Sequence, residues 1–219
     1  MTGSRQRYGF LLIALTATFF VQGVAEAGDA QRVIVTVLIG TSLMLALYAA
    51  EIPTRLLRLA AAFVIVAVAG VLIASLSGSG TTAAGIAAVG DAALVALAPV
   101  AVVKGVVRNL RATGAVTIVV VAGALCFYLL VGLIFAFVYG AMQNLGGAPF
   151  FADGSAATSA RSVYFSFVTM TTVGYGDFTA RTNLGHTLSV TEALIGQIYL
   201  VTVVATIVTR LAPRRVERS

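Results

Sequence analysis

The sequence of 219 residues is poor in charge, has a single cysteine and histidine, and has no tryptophan: only 10% of its residues are Asp, Glu, Lys or Arg. A soluble domain carries about 25% charged residues. So small a number cannot dress a globular surface, and a water-soluble enzyme is excluded. Cys126 lies inside the apolar run Ala122–Phe137. Alone, it forms no intrachain disulfide and no thiolate metal site, and it reads as a small apolar side chain. The chain also lacks a constellation of His, Asp, Cys or Ser for acid–base or nucleophilic chemistry. What is abundant is hydrophobicity, 59% of residues with mean hydropathy +1.01. Helices solvated by lipid fit that excess; disordered or fibrous chains do not. The net charge of +6 and pI near 10.0 do not indicate nucleic acid. That partner needs a basic face on a folded domain, whereas here the basic residues sit in short clusters between apolar runs, the pattern of membrane orientation.

A spanning helix needs about 20 mostly apolar residues. Six stretches qualify: Tyr8–Ala27, Val33–Ile52, Leu56–Leu76, Thr82–Val103, Gly114–Gly140 and Leu184–Leu211. With the N-terminus inside, eleven basic residues fall on the cytoplasmic side (Arg5, Arg7, Arg55, Arg58, Lys104, Arg108, Arg111, Arg210, Arg214, Arg215 and Arg218), against three outside, Arg32, Arg161 and Arg181. The asymmetry predicts both termini in the cytoplasm and the connection Ala141–Asn183 outside. Arg5, Arg7, the apolar run from Phe10 and Ala25-Glu26-Ala27 also fit a signal peptide with an A-x-A cleavage site. The run is long for such a peptide, and cleavage would leave the later topology unchanged.

The connection between the fifth and sixth stretches carries the chemistry. From Ser159 to Thr172 it forms a helix of about three turns, with Ser159 or Thr158 as N-cap. The segment runs directly into Val173-Gly174-Tyr175-Gly176-Asp177. In lipid, irregular backbone survives only where protein buries it or where it lines a watery cavity. A re-entrant helix with an extended return loop, dipping in from outside, satisfies that condition.

The run Thr171-Thr172-Val173-Gly174-Tyr175-Gly176-Asp177, with Thr169-Met170-Thr171 before it, resembles the selectivity filter of potassium channels. The TVGYG loops of that family line the conduction path with backbone carbonyls. The resemblance covers Gly114–Leu211; the first half of the chain resembles no family we can name. It implies that the carbonyls of Thr172, Val173, Gly174 and Tyr175, with the Thr172 hydroxyl, coordinate K+ in place of its hydration shell, with Gly176 completing the filter. Val173 and Tyr175 would brace the strand against the pore helix, whose C-terminal end favours a cation. One filter segment per chain cannot close a ring, so a cyclic homotetramer follows.

Other residues keep two readings each. Asp177 forms an acidic ring at the outer mouth or is held by Tyr164, which stands where resembling channels often have tryptophan; a solvated loop aspartate is the plain alternative. Glu192, an acid inside the last apolar stretch, braces the filter or pore helix, in protonated form, or is merely satisfied by a hydroxyl or neighbouring helix. Gly196 stands where resembling channels place an inner-helix hinge, or it permits close packing. Thr202, Thr206 and Thr209 share a helix face, lining a cavity or satisfying their own helix. Lys104, Arg108 and Arg111 have voltage-sensor spacing, but lie at the cytoplasmic end of their stretch and obey the positive-inside rule. Asp91 has no obvious arginine partner, Glu51 pairs with Arg55 or Arg58, and His186 is an incidental interfacial histidine.

The expectation is therefore an all-α membrane protein of six transmembrane helices, with a re-entrant pore helix and filter loop between the last two, assembled as a homotetrameric pore. Residues 1–112 form a four-helix N-terminal region, 113–212 the pore domain and 213–219 a short basic cytoplasmic tail. It conducts K+ passively through the lipid bilayer without cofactor or nucleic-acid partner, and its compact form suits a bacterial inner (plasma) membrane. The alternatives are a subunit of a K+ transporter, which normally carries four pore-like segments with one glycine in each, or a weakly selective cation channel, which a change at Tyr175 or Gly176 would favour.

Overall fold

The computed structural model describes residues 2–24, 28–76, 81–113 and 116–211. Seven helices occupy them: α1 (Thr2–Val24), α2 (Asp29–Ala49), α3 (Thr54–Leu76), α4 (Thr81–Thr113), α5 (Ile118–Leu145), α6 (Ser159–Met170) and α7 (Asn183–Leu211). No strand occurs among the described residues; the one isolated bridge pairs Phe151 with Ala180. Among the described residues, five helices are long and apolar enough to cross a membrane, over Gln6–Val24, Ala30–Ala49, Thr54–Ile73, Ala93–Thr113 and Ile118–Leu145. The sixth expected stretch coincides with α7, several of whose later side chains lie outside the described residues. So do the Ala25–Ala27 cleavage motif and the 213–219 tail.

Several boundaries differ from the sequence reading, those of the fourth and fifth helices among them. The fourth helix runs on past Val103 to Thr113, carrying Pro99 inside it, and its apolar window starts after Asp91. Long Lys and Arg side chains reach away from an apolar stem, so charge alone does not stop a helix. The fifth begins at Ile118 rather than Gly114 and passes Gly140 to end at Leu145. A glycine costs a helix only about 1 kcal/mol, which packing of the helix outweighs.

The core joins α1, α2, α4 and α5 through Leu11, Leu15, Ile39, Leu43, Leu94, Ala98, Leu130 and Leu133, all fully or nearly fully buried. Glycines let these helices approach: a Cβ on Gly105 would strike Tyr8 Oη, and one on Gly123 would strike Val106. By contrast, α3 lies at the edge and leaves Leu59, Ile65, Val66 and Ile73 exposed. The first helix also reaches the short helix α6, with the rings of Phe19 and Phe167 edge to face at 4.8 Å.

At the inner end, Glu51 pairs with Arg108 at 3.2 Å and Arg7 at 3.9 Å, rather than with Arg55 or Arg58. Arg108 also donates to the carbonyls of Ala50 and Ala49 at the end of α2. A cation at a helix C-terminus is favoured there, and the fold brings α4 to that end. Sequence neighbours on α3 lose this competition.

Candidate functional site

The site is built by α5, α6, α7 and the loops between them. Thr158 caps α6 and accepts from the Arg161 amide at 3.4 Å. Behind the helix lies an aromatic cluster of Tyr139, Phe150, Phe151 and Phe165, with ring centroids 5.1 Å apart for Tyr139–Phe165 and 5.4 Å for Phe151–Phe165. Such pairs add about 0.5–1.5 kcal/mol each beyond burial, so the helix rests on a stiff support. Gln143 Oε1 accepts from the amides of Phe150 at 3.0 Å and Ala157 at 2.9 Å, tying the outer connection to α5. The segment leading into α7 is pinned to the one before α6: Ala152 N donates to Thr179 O and Arg181 N to Phe150 O, both at 2.9 Å.

Beyond the end of α6 at Met170 the backbone changes character. The amides of Thr172, Val173 and Gly174 turn back onto the last carbonyls of the helix, donating to Thr169 O at 2.9 Å and to Val168 O at 3.0 and 3.3 Å. Positive φ recurs at alternate residues: Thr172 (57°), Gly174 (52°) and Gly176 (79°), with Val173 and Tyr175 between them on the ordinary side. Alternating handedness turns successive amides to one side of the strand and therefore successive carbonyls to the other. Among the described residues no hydrogen bond ends on the carbonyls of 172–176. Two of the three positive-φ positions are glycine, which adopts the conformation freely. Thr172 is β-branched, and the left-handed region costs such a residue about 1–2 kcal/mol.

The residues singled out in the sequence fall around this strand. Tyr164 donates its hydroxyl to Asp177 Oδ2 at 2.7 Å. That bond, with the negative charge beside it, pushes the Tyr164 phenol up to about 12. Thr171 caps the helix and its hydroxyl donates to Phe167 O at 2.6 Å. Val173 and Tyr175 are 51% and 72% exposed, so a single chain leaves much of each side chain uncovered. A brace for them has to come from elsewhere.

On α7, Glu192 is fully buried between Tyr139 and Ser166: Tyr139 donates to Oε2 at 2.7 Å, and Ser166 meets Oε1 while also donating to Gly132 O at 2.7 Å. The acid touches α5 and α6, and among the described residues no hydrogen bond joins it to residues 172–176. Gly196 sits against the end of α6, where a Cβ would fall 2.7 Å from Met170 O and 2.5 Å from Met170 Cγ. This is the close-packing reading of that glycine. Thr202, Thr206 and Thr209 each donate to the carbonyl one turn earlier on α7. Asp91 accepts from Thr36 at 3.1 Å, and His186 Nε2 meets Ala180 O at 2.6 Å.

Sequence reasoning missed Gln197 and Gln143. The Gln197 amide donates to Thr172 Oγ1 at 3.1 Å, tying α7 to the backbone just past α6. A polar amide inside an apolar run, next to Gly196, was the available signal. Gln143 gave none, because its two partners lie seven and fourteen residues away on an irregular connection.

The chain finds no match among curated proteins and none among solved structures. Residues 115–212 match a family model described as ion channel. That stretch contains α5, α6, the 171–177 segment and α7, while α1 to α4 lie outside it. The match supports an ion channel, with the pore elements in the second half of a multi-pass membrane chain.

Proposed function

We propose that four copies of this chain surround a pore that conducts K+ selectively and passively across the membrane, with residues 1–112 as a peripheral four-helix region, 113–212 as the pore domain and 213–219 as a basic tail. The observation that carries the reading is the segment 172–176, with φ alternating in hand, the amides of Thr172, Val173 and Gly174 bonded back to α6, and carbonyls that meet no partner among the described residues. Four such strands make stacked rings of oxygens that replace the hydration shell of K+. The carbonyls of Thr172, Val173, Gly174 and Tyr175 form the sites, and Asp177 concentrates cations at the mouth.

The tetramer draws support from what one chain leaves open. Val173 and Tyr175 are exposed, and α7 exposes Val190, Leu194, Ile198 and Val201, an apolar stripe at intervals of about one helical turn. A neighbouring copy supplies the missing brace. The basic asymmetry puts both termini in the cytoplasm and the filter mouth outside, with a bacterial inner membrane as the setting. Six spans then comprise α1 to α5 and α7.

Reversal potentials in opposed K+ and Na+ gradients, recorded from purified protein in planar bilayers, test the reading. A reversal potential following the K+ gradient is expected. Equal permeability to both ions removes the selective filter from the account, and a stable monomer removes the pore.

A further inference from the structure

The buried contact between Glu192, Tyr139 and Ser166 sets a count of hydrogens. All three residues are 0% exposed. Four oxygen–oxygen contacts need a hydrogen each: Tyr139 Oη with Glu192 Oε2 (2.7 Å), Ser166 Oγ with Glu192 Oε1, Ser166 Oγ with Gly132 O (2.7 Å), and Ser189 Oγ with Gly185 O (2.9 Å). An ionised Glu192 leaves three hydrogens, those of Tyr139, Ser166 and Ser189. Ser166 would then face either the carboxylate or the Gly132 carbonyl with nothing between the oxygens. A carboxylic acid supplies the fourth: Tyr139 donates to one oxygen, Glu192 donates from the other to Ser166, and Ser166 donates to Gly132 O. Every contact is then satisfied.

The charges around the group agree. Facing it from α5 are only the phenols of Tyr139 and Tyr128. The buried face of α6 offers Ser166, while its Arg161 reaches Ala156 O and its Tyr164 reaches Asp177. On α7 the titratable groups nearest in sequence are His186, engaged with Ala180 O, and Tyr199, whose hydroxyl donates to Ala124 O. Among the described residues the ion pairs join Glu51 to Arg7 and Arg108, and none reaches Glu192. A buried carboxylate without a cation is strongly disfavoured.

We propose that Glu192 is a neutral carboxylic acid and a positioning residue for the pore helix: through its proton it clamps α6 to α5 and α7, and conduction falls reversibly when alkaline medium removes that proton. The coupling to conduction rests on the channel reading above; the protonation state does not. Loss of the proton puts an uncompensated charge against Ser166, six residues before Thr172. The folded arrangement holds a proton that the charged form lacks, so the clamp is intact at low pH and is lost as pH rises. Past its midpoint, the clamped fraction drops about tenfold per pH unit.

Infrared difference spectra of native protein minus Glu192→Gln test this, because subtraction removes the other buried acid, Asp91. A protonated-carboxyl carbonyl band at neutral pH that is missing in Glu192→Gln is expected, together with an alkaline fall in K+ current that Glu192→Gln flattens. Should Glu192→Gln not fold, the native band is followed alone: it bleaches as pH rises, and Tyr139→Phe, which removes a donor to Oε2, shifts its frequency. Absence of the band, or a band indifferent to both substitutions, overturns the neutral acid. A native pH profile shared by Glu192→Gln overturns its effect on conduction. If the protein passes no K+, the infrared result still decides the protonation state, and only the function falls.

Discussion

Replacing Gly196 by alanine places one methyl group where α7 crosses the end of the pore helix. The new Cβ would lie 2.7 Å from Met170 O and 2.5 Å from Met170 Cγ. The methionine side chain can swing aside, but the carbonyl belongs to the last residue of α6, and its backbone continues into Thr171 and Thr172. Ordinary contact begins at 3.4 Å, so helix and filter base must separate from α7 by about 0.7 Å. Overpacking of this kind costs about 1–3 kcal/mol, against a helix-propensity gain of about 1 kcal/mol for Gly→Ala. The net is a loss of roughly 0–2 kcal/mol per chain, concentrated at the filter. Gly70 on α3 has nothing within 4 Å of a built Cβ, so Gly70→Ala serves as the control and gains up to about 1 kcal/mol. Survival of the oligomer on heating in detergent, read by gel filtration, gives the stability; reversal potentials give selectivity. The expected order is Gly70→Ala at or above native and Gly196→Ala below it with weakened K+ preference. A Gly196→Ala protein as heat-resistant and selective as native refutes the packing argument and returns the glycine to a hinge.

Gly174→Ala puts a side chain at φ 52°, costing about 1–2 kcal/mol of local strain; K+ selectivity is lost while assembly persists, as bilayer recording and gel filtration together show. Asp177→Asn removes the charge that holds the Tyr164 proton. A spectrophotometric titration then moves that phenol from about 12 toward its ordinary 10.0. Because the folded value is the higher one, the Tyr164–Asp177 contact is whole below pH 10 and is lost as pH climbs through 12. Arg108→Ala leaves the Ala50 carbonyl and Glu51 without this partner at the end of α2; a helix-end cation of this type contributes about 0.3–1 kcal/mol, seen as a small drop in thermal stability with selectivity unchanged.

The portion of the site that local sequence dictates was readable: the cap at Thr158, the length of α6, and the glycines at alternate filter positions all depend on neighbours a few residues away. Apolar runs likewise announced the helices. What could not be read is which distant partner each polar group finds. Glu51 has arginines four and seven residues ahead, yet it pairs across the bundle with Arg108, because the carbonyls at the end of α2 add to the attraction. Glu192 reaches back to Ser166 and Tyr139, and Gln197 to Thr172. Those meetings are set by how three helices cross. The end of α4 lies beyond the expected Val103 for a related reason: the residues from Lys104 to Thr113 meet distant partners, Arg108 at the Ala50 carbonyl and Val106 against Gly123 of α5.

The open carbonyls of residues 172–176 have a thermodynamic consequence for assembly. In an isolated subunit solvent satisfies them; in the proposed tetramer four such segments would close around an axis, displacing most of the solvent and turning the oxygens of the four chains toward one another. Cations resting among them then act as mortar, and their binding free energy is added to that of association. Subunit cohesion should therefore rise and fall with the concentration of the permeant species, making the cargo a structural member of the vessel that carries it.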